Sequence, residues 1–183
     1  MRVIAGSAKH FNLKTLKGND VRPTTDKIKE TLFNILMPYI YGCKFLDLFA
    51  GSGAIGIEAL SRGAKKAVFA ENNKMAVKCI NENLEHTNLS DRGEVFCIDV
   101  ISLIKTHIKN DKYDIIFIDP PYYEEYYKPT LEAIRDSDIL EEDGMVILEC
   151  NKKDKDNFYD INGFEVFRIK DYGNIAHIFL KGA

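Results

Sequence analysis

From residue 44 to residue 150, short apolar runs alternate with longer amphipathic segments. The runs read as strands at 44–49, 66–71, 93–98, 113–118 and 144–150, and the segments between them as helices near 54–62, 74–86, 100–109 and 129–136. That alternation is the signature of βα units on a parallel sheet. It breaks at the end of the chain, where the strand-like runs 164–170 and 175–181 are separated only by Asp171-Tyr172-Gly173-Asn174. So short a connection predicts a hairpin and an antiparallel last strand. Ahead of the sheet, residues 2–5 and 12–16 are expected to pair as a small hairpin around residues 7–10. A helix follows. Thr24 or Thr25 can cap it, Asp26 and Glu30 favour its positive end, and Ile28, Leu32, Phe33, Ile35 and Leu36 give it a broad apolar face up to Pro38. The expected fold class is α/β: a Rossmann-like sheet, mostly parallel with an antiparallel last strand, plus a small N-terminal hairpin and helix.

Composition fits this picture and narrows it. A chain of 183 residues with 45% apolar side chains is expected to build one domain, residues 1–183, with the hairpin and helix in 1–40 and the core in 41–183. No run approaches the ~20 apolar residues of a membrane span, and no secretory apolar core is present at the start, so a soluble, cytoplasmic protein is expected. Cys43, Cys79, Cys97 and Cys150 are scattered without a C-x-x-C pair, and the four histidines are equally dispersed, so no metal is expected. The net charge of −3 argues against indiscriminate nucleic-acid binding, yet the first thirty residues hold seven Lys/Arg against three Asp/Glu. An acidic body with a basic head suits a polyanion contacted at one place.

Two motifs carry chemistry. Asp47-Leu-Phe-Ala-Gly51-Ser-Gly53-Ala-Ile-Gly56 closes the first strand of the sheet, opens a helix and matches G-x-G-x-x-G. Glu71, about twenty residues on and ending the next strand, is placed to hold a ribose diol. Alone, this unit suits a dinucleotide or S-adenosyl-L-methionine. Carboxylates favour the second: Asp47 can face a cationic methionine moiety or simply bond loop amides, and Asp99 can meet an adenine amine, cap the helix from Val100, or do both. A pyrophosphate would be repelled by such a set. Phe49, Ser52, Asn72 and Val100, beside these residues, complete the candidate cofactor contacts. The other motif, Asp119-Pro120-Pro121-Tyr122, ends the fourth strand. Asp119 only accepts hydrogen bonds when ionised, Pro120 leaves a carbonyl free, Pro121 stiffens the turn without offering an N–H, and Tyr122 supplies a stacking face. Together they describe a pocket for a flat, amine-bearing ring.

The glycine loop and the tetrapeptide resemble the class I, S-adenosylmethionine-dependent methyltransferases of exocyclic amines, whose motif is (Asn/Asp/Ser)-Pro-Pro-(Tyr/Phe/Trp). Three further segments, Arg2-Val-Ile-Ala-Gly6, the stretch from Arg22-Pro-Thr-Thr-Asp26 to Asn34, and the stretch from Phe45 to Gly63, are similar to the RsmD family, with the likeness continuing through Ile147-Leu-Glu149 and Tyr172-Gly173. Members of that family methylate guanine N2 in 16S ribosomal RNA. At His10 and Phe11 the chain departs from the Gly and Arg usual there. The resemblance implies that the Gly51–Gly56 loop, Glu71 and Asp99 hold the cofactor, with Asp119 between cofactor and base. It implies that Asp119 and the Pro120 carbonyl hold the guanine amine, that Tyr122 stacks on the base, and that the stretch from Arg22 to Asp26 joins the cofactor and RNA sites. Candidate RNA contacts are Arg2, Lys9, His10, Lys14, Arg22, Thr24 and Thr25, and the expected partner is 16S rRNA or the 30S subunit, met by a monomer. Rival readings are an adenine-N6 or protein-glutamine methyltransferase, a nicotinamide-dependent oxidoreductase and a non-catalytic RNA-binding module.

Overall fold

The structure is a computed structural model that describes residues 1–16, 26–121 and 124–183. Among these residues seven strands form one sheet in the order β3-β2-β1-β4-β5-β7-β6. The strands are β1 (Lys44–Leu48), β2 (Lys66–Glu71), β3 (Gly93–Cys97), β4 (Tyr113–Ile118), β5 (Leu140–Asn151), β6 (Phe164–Tyr172) and β7 (Ile175–Gly182). The first five pair in parallel, β7 is antiparallel to β5, and β6 is antiparallel to β7. Helices α1 (Asp26–Ile40), α2 (Ala54–Ser61), α3 (Lys74–His86), α4 (Val100–Thr106) and α5 (Tyr127–Asp136) cover its two faces. This is the class I methyltransferase fold. The near-continuous apolar strands are explained by burial on both sides, since a strand that packs against helices above and below has no solvent face to alternate with.

One core layer joins Leu32, Phe33 and Leu36 of α1 to Phe45, Phe69, Phe117 and Phe179 of the sheet. The other packs Leu103 and Ile104 of α4 and Leu131 and Ile134 of α5 against Leu46, Leu48, Ile116, Ile118 and Leu148. Between β1 and β4 the winding reverses direction. Their carboxyl ends therefore part, and open α/β sheets place ligands in that crevice.

Two expectations need correction. The N-terminal hairpin is shorter than expected: it makes a single antiparallel bridge, Arg2 to Asn12, with Val3 N–H to Phe11 O, His10 N–H to Val3 O and Leu13 N–H to Met1 O, each at 2.9 Å. The next amides, Ile4 and Ala5, donate instead to the Glu58 carboxylate on α2 at 2.8 and 3.0 Å. Helix α1 continues its apolar face through Pro38 to Ile40, which is buried and so rewards the last turn for a missing N–H. Strand β5 begins at Leu140 rather than Gly144, because Tyr113 pairs with Leu140 before a register shift restores pairing at Met145. The expected caps Thr24 and Thr25 lie outside the described residues. Among the described residues no helix is long and apolar enough to cross a membrane.

Candidate active site

The chain leaves β1 through a sharply twisted loop. Phe49, Gly51 and Gly53 have φ of 63°, 55° and 77°, the left-handed region. Glycine adopts it freely, whereas Phe49 bears a cost of about 1–2 kcal/mol. The strain is held by its surroundings: the Phe49 ring meets the Tyr126 ring edge-on, 5.8 Å between centroids. The glycines divide the work. A Cβ on Gly51 would meet nothing within 4 Å, so its backbone lies open to a ligand. On Gly56 it would lie 2.3 Å from the Phe69 ring, so that glycine exists to let α2 approach the sheet.

Glu71 fixes the loop from the end of β2. Its two carboxylate oxygens accept from Gly51 N–H and Asn73 N–H, both at 2.9 Å, which leaves lone pairs for a further donor. Asp99 ends the β3 connection and caps α4 through Ser102 N–H at 3.0 Å. Asn83 of α3 ties the loop to the N-terminal arm, donating to Ser52 O at 2.9 Å and to Lys14 O at 3.0 Å while accepting from Lys14 N–H at 2.8 Å.

Asp119 stands at the end of β4, opposite this loop. Burial, then the neighbouring Glu149 and Asp47 carboxylates, hold its carboxyl well above the usual range. Glu149 lies on the adjacent strand, one position beyond the pair Ile118–Leu148. It is 7% exposed, and its Oε2 is 2.8 Å from Nε2 of the fully buried His177. Tyr127 OH donates to the Glu149 carbonyl at 2.6 Å.

These groups border one cavity of about 930 Å³. Phe49, Gly51, Ser52, Glu71, Asn72, Asp99, Val100, Asp119, Pro120 and Pro121 all line it. Asp47, Gly53 and Gly56 do not. Of the two roles open to Asp47, facing a methionine moiety or bonding loop amides, the structure shows the second: it is 2% exposed and its Oδ2 accepts from Gly56 N–H at 2.9 Å. The first amides of α2 need acceptors, and an internal carboxylate at the helix's positive end supplies one. Burial raises its pKa to about 8, against the lowering effect of that hydrogen bond. Residues that sequence reasoning passed over also form the wall: Met1, Thr15 and Leu16 of the arm, Tyr126, Glu149 and Lys153. Only the tertiary fold reveals them, although Glu149 within a buried strand was a visible anomaly.

The basic head is less available than its charge implies. Arg2 pairs with Asp26 at 3.1 Å, Lys14 with Glu82 at 2.8 Å, and Lys29 is fully buried against Glu58 at 3.2 Å. Lys9 and His10 border a separate shallow depression of about 380 Å³ with Phe11, Asn12 and His86. Tyr122 and Arg22, together with Thr24 and Thr25, lie outside the described residues.

With this geometry in view, comparison with known proteins is decisive. A family model described as Conserved hypothetical protein 95 matches residues 1–181. The chain is 36% identical to the ribosomal RNA small subunit methyltransferase D of Haemophilus influenzae over 83% of this chain and 79% of that one. The protein of the same description from Escherichia coli is 33% identical, over 81% and 74%. The chain belongs to the RsmD family. Among solved structures, the candidate methyltransferase yhhF from Escherichia coli superposes with a TM-score of 0.85 at 29% identity, covering 100% of this chain and 97% of that one. The RsmD-like segments of the sequence now have places in the fold. Arg2 to Gly6 docks on α2, and Gly6, with φ of 87° and a Cβ position 1.8 Å from Ser61 O, is where only glycine fits. Phe45 to Gly63 is β1, the loop and α2.

Proposed function

We propose that this protein transfers a methyl group from S-adenosyl-L-methionine to the exocyclic N2 amine of a guanine in 16S ribosomal RNA. The observation that carries the reading is a single cavity bordered on one side by the glycine loop and on the other by Asp119-Pro120-Pro121. Its volume, near the top of the range for small-molecule sites, suits a nucleoside cofactor with a base beside it. The residues fit the cofactor: Gly51 leaves a gap for close approach, Glu71 and Asp99 offer acceptors to a ribose and an adenine amine, and Phe49, Ser52, Asn72 and Val100 close around them. Asp47, Gly53 and Gly56 would shape the loop without touching the ligand. With Glu71, Asp99, Asp119 and Glu149 all on the wall, a pyrophosphate would be poorly placed, which disfavours a dinucleotide. Membership of the RsmD family, and relatives described as small-subunit rRNA methyltransferases, support the RNA substrate.

Bound S-adenosylmethionine would supply an electrophilic sulfonium methyl for the amine lone pair and would leave as the neutral thioether. Asp119 and the Pro120 carbonyl hold the two amine hydrogens. An aryl amine is a weak nucleophile because its lone pair is delocalised, and acceptors on its hydrogens favour the localised form. The nitrogen then carries excess positive charge and one proton too many. Asp119, whose carboxyl is pushed upward by burial and by Glu149 and Asp47, is suited to take that proton. A paired base cannot present its amine here, so the guanine would enter unpaired or flipped.

The test is tritium transfer from labelled cofactor into free 16S RNA, 30S particles, duplex DNA and protein. Label is expected in ribosomal RNA; label confined to DNA or protein would overturn the reading. Asp119→Ala should lower turnover by about 10²–10⁴-fold, the usual scale for a lost proton acceptor, while affinity for S-adenosylhomocysteine stays within a few-fold. Near wild-type turnover would remove Asp119 from its role.

A further inference from the structure

Glu149, on the cavity wall, has been given no contact with the base in the scheme above. Asp119, Glu149 and His177 stand side by side across β4, β5 and β7: Glu149 follows the Ile118–Leu148 pair, and Glu149 and His177 are themselves cross-strand partners. His177 is boxed by rings, with centroids at 4.9 Å to Tyr172 and 6.0 Å to Phe117. Its Nδ1 is buried without a hydrogen-bond partner among the described residues. A stranded N–H is costlier than a stranded lone pair, so we assign the hydrogen to Nε2, which donates to Glu149 at 2.8 Å. That bond, with the Tyr127 hydroxyl on the Glu149 carbonyl, holds the carboxylate at the cavity wall as an acceptor.

A second acceptor beside the amine-binding carboxylate discriminates between bases. On guanine, one of the two ring nitrogens flanking the amine-bearing carbon, N1, carries a hydrogen; on adenine and cytosine the ring nitrogen beside the amine-bearing carbon carries only a lone pair. A fixed carboxylate attracts the first and repels the others. Resting on the guanine-N2 reading above, we propose that Glu149 reads the guanine N1–H, and that His177 is the positioning residue that keeps it an acceptor. A site built around such a bond rejects an analogue that lacks the hydrogen far more strongly than one that lacks apolar bulk, because a buried charge is then left against a lone pair.

The probe is 2-aminopurine, which keeps the 2-amino group but has a lone pair at N1. Semi-synthetic 16S RNA would carry it at the nucleotide that the wild-type enzyme labels, reconstituted into small subunits. The wild-type enzyme is expected to methylate guanine at least about 100-fold faster than 2-aminopurine, measured as kcat/KM. Glu149→Gln, whose amide can donate to N1, is expected to bring the ratio to within about tenfold, and any effect of the analogue on the particle cancels between the two enzymes. His177→Phe should lower the same ratio while leaving S-adenosylhomocysteine affinity in place; an unchanged ratio would remove the role given to His177. Comparable wild-type rates on the two bases would overturn the proposal, and that measurement needs no variant to fold. A Glu149→Gln enzyme that still discriminates as strongly as wild type would overturn it too, passing both hydrogens to Asp119. If the wild-type enzyme labels no guanine at all, the functional reading fails instead, so the two failures are distinct.

Discussion

At the scale of the residue, the site is a set of carboxylates that neighbouring backbone treats in different ways. Glu71 is held by two amides, Asp99 by one, and Asp47 accepts from Gly56 N–H in a place that water does not reach. The motif left Asp47 either at the ligand or on the loop amides; the fold turns it inward because α2 needs an acceptor there. Its pKa, raised by burial to about 8, has a consequence for stability. A carboxyl whose folded pKa lies above its unfolded value of about 4 contributes stability that is complete below the unfolded pKa and is lost as pH rises through the folded one. Between about pH 4 and pH 8 the folded chain holds the extra proton, so Asp47 makes the protein less stable with rising pH. Asp47→Asn keeps an acceptor for Gly56 and cannot ionise. Denaturant midpoints from pH 5 to pH 8 should fall less for the variant than for wild type, by on the order of a few kcal/mol in unfolding free energy. Parallel curves for the two proteins would show that Asp47 ionises without penalty.

At the scale of the element, α2 acts as an anchor as well as a ligand-facing helix. Glu58, fully buried within it, accepts from Ile4 and Ala5 amides, from Arg62 Nε at 2.7 Å and from Lys29 Nζ at 3.2 Å. Ser61 holds the next turn of the arm, accepting from Ala8 N–H and donating to Ala5 O. The arm in turn supplies Met1, Thr15 and Leu16 to the cavity wall. Glu58→Ala should cost about 3–5 kcal/mol, because it leaves the Lys29 ammonium buried without its carboxylate. Hydrogen exchange at Ile4 and Ala5 should accelerate beyond the global change; protection lost only in step with global stability would mean that the arm is held by other contacts. This arrangement also marks the limit of what could be read beforehand. Strands β2 and β4 and helix α3 match their expected bounds, because each is a local apolar pattern with a clear start and stop. The hairpin at residues 2–16 was legible only as a pattern of possible backbone pairs. Beyond the single bridge, the Ile4 and Ala5 amides go to a side chain 54 and 53 residues away, which no local window contains. The polar run Glu141-Glu142-Asp143, ahead of the apolar run expected as the strand, belongs to β5, which carries a register shift there. The cavity's glycine loop, Glu71, Asp99 and Asp119 were legible because each ends a strand, whereas Glu149 and Lys153 reach it through the pairing of β5 and the segment after it.

At the scale of the whole molecule, the proposed RNA substrate makes charge the quantity to weigh. The net charge is −3, and the basic excess of the first thirty residues is the clearest feature suited to phosphates. Three of those seven cations are committed elsewhere: Arg2 to Asp26, Lys14 to Glu82, and Lys29 to the interior with Glu58. Lys9 and Lys27 are exposed, and Lys17 and Arg22 complete the four that the sequence leaves for phosphate. Each phosphate contact contributes about −0.7 to −0.9 to the slope of log affinity against log salt, so four contacts give a slope of about −3 for protein-free 16S RNA. That is a shallow dependence and a weak electrostatic grip, and an acidic body repels the rest of the strand. On the proposed function, affinity for the target would then come from the cavity and from the shape of an assembled particle. We therefore expect 30S particles to be methylated faster than protein-free 16S RNA at the same concentration, with the difference widening as potassium chloride is raised from 50 to 200 mM, since a folded particle offers contacts that salt does not screen. Filter binding across that range and initial rates on both substrates measure the two parts. A slope steeper than about −6 would require more phosphate contacts than the four remaining Lys/Arg of the first thirty residues provide. Equal rates on naked RNA and on 30S particles would mean that the cavity and the head suffice without the particle.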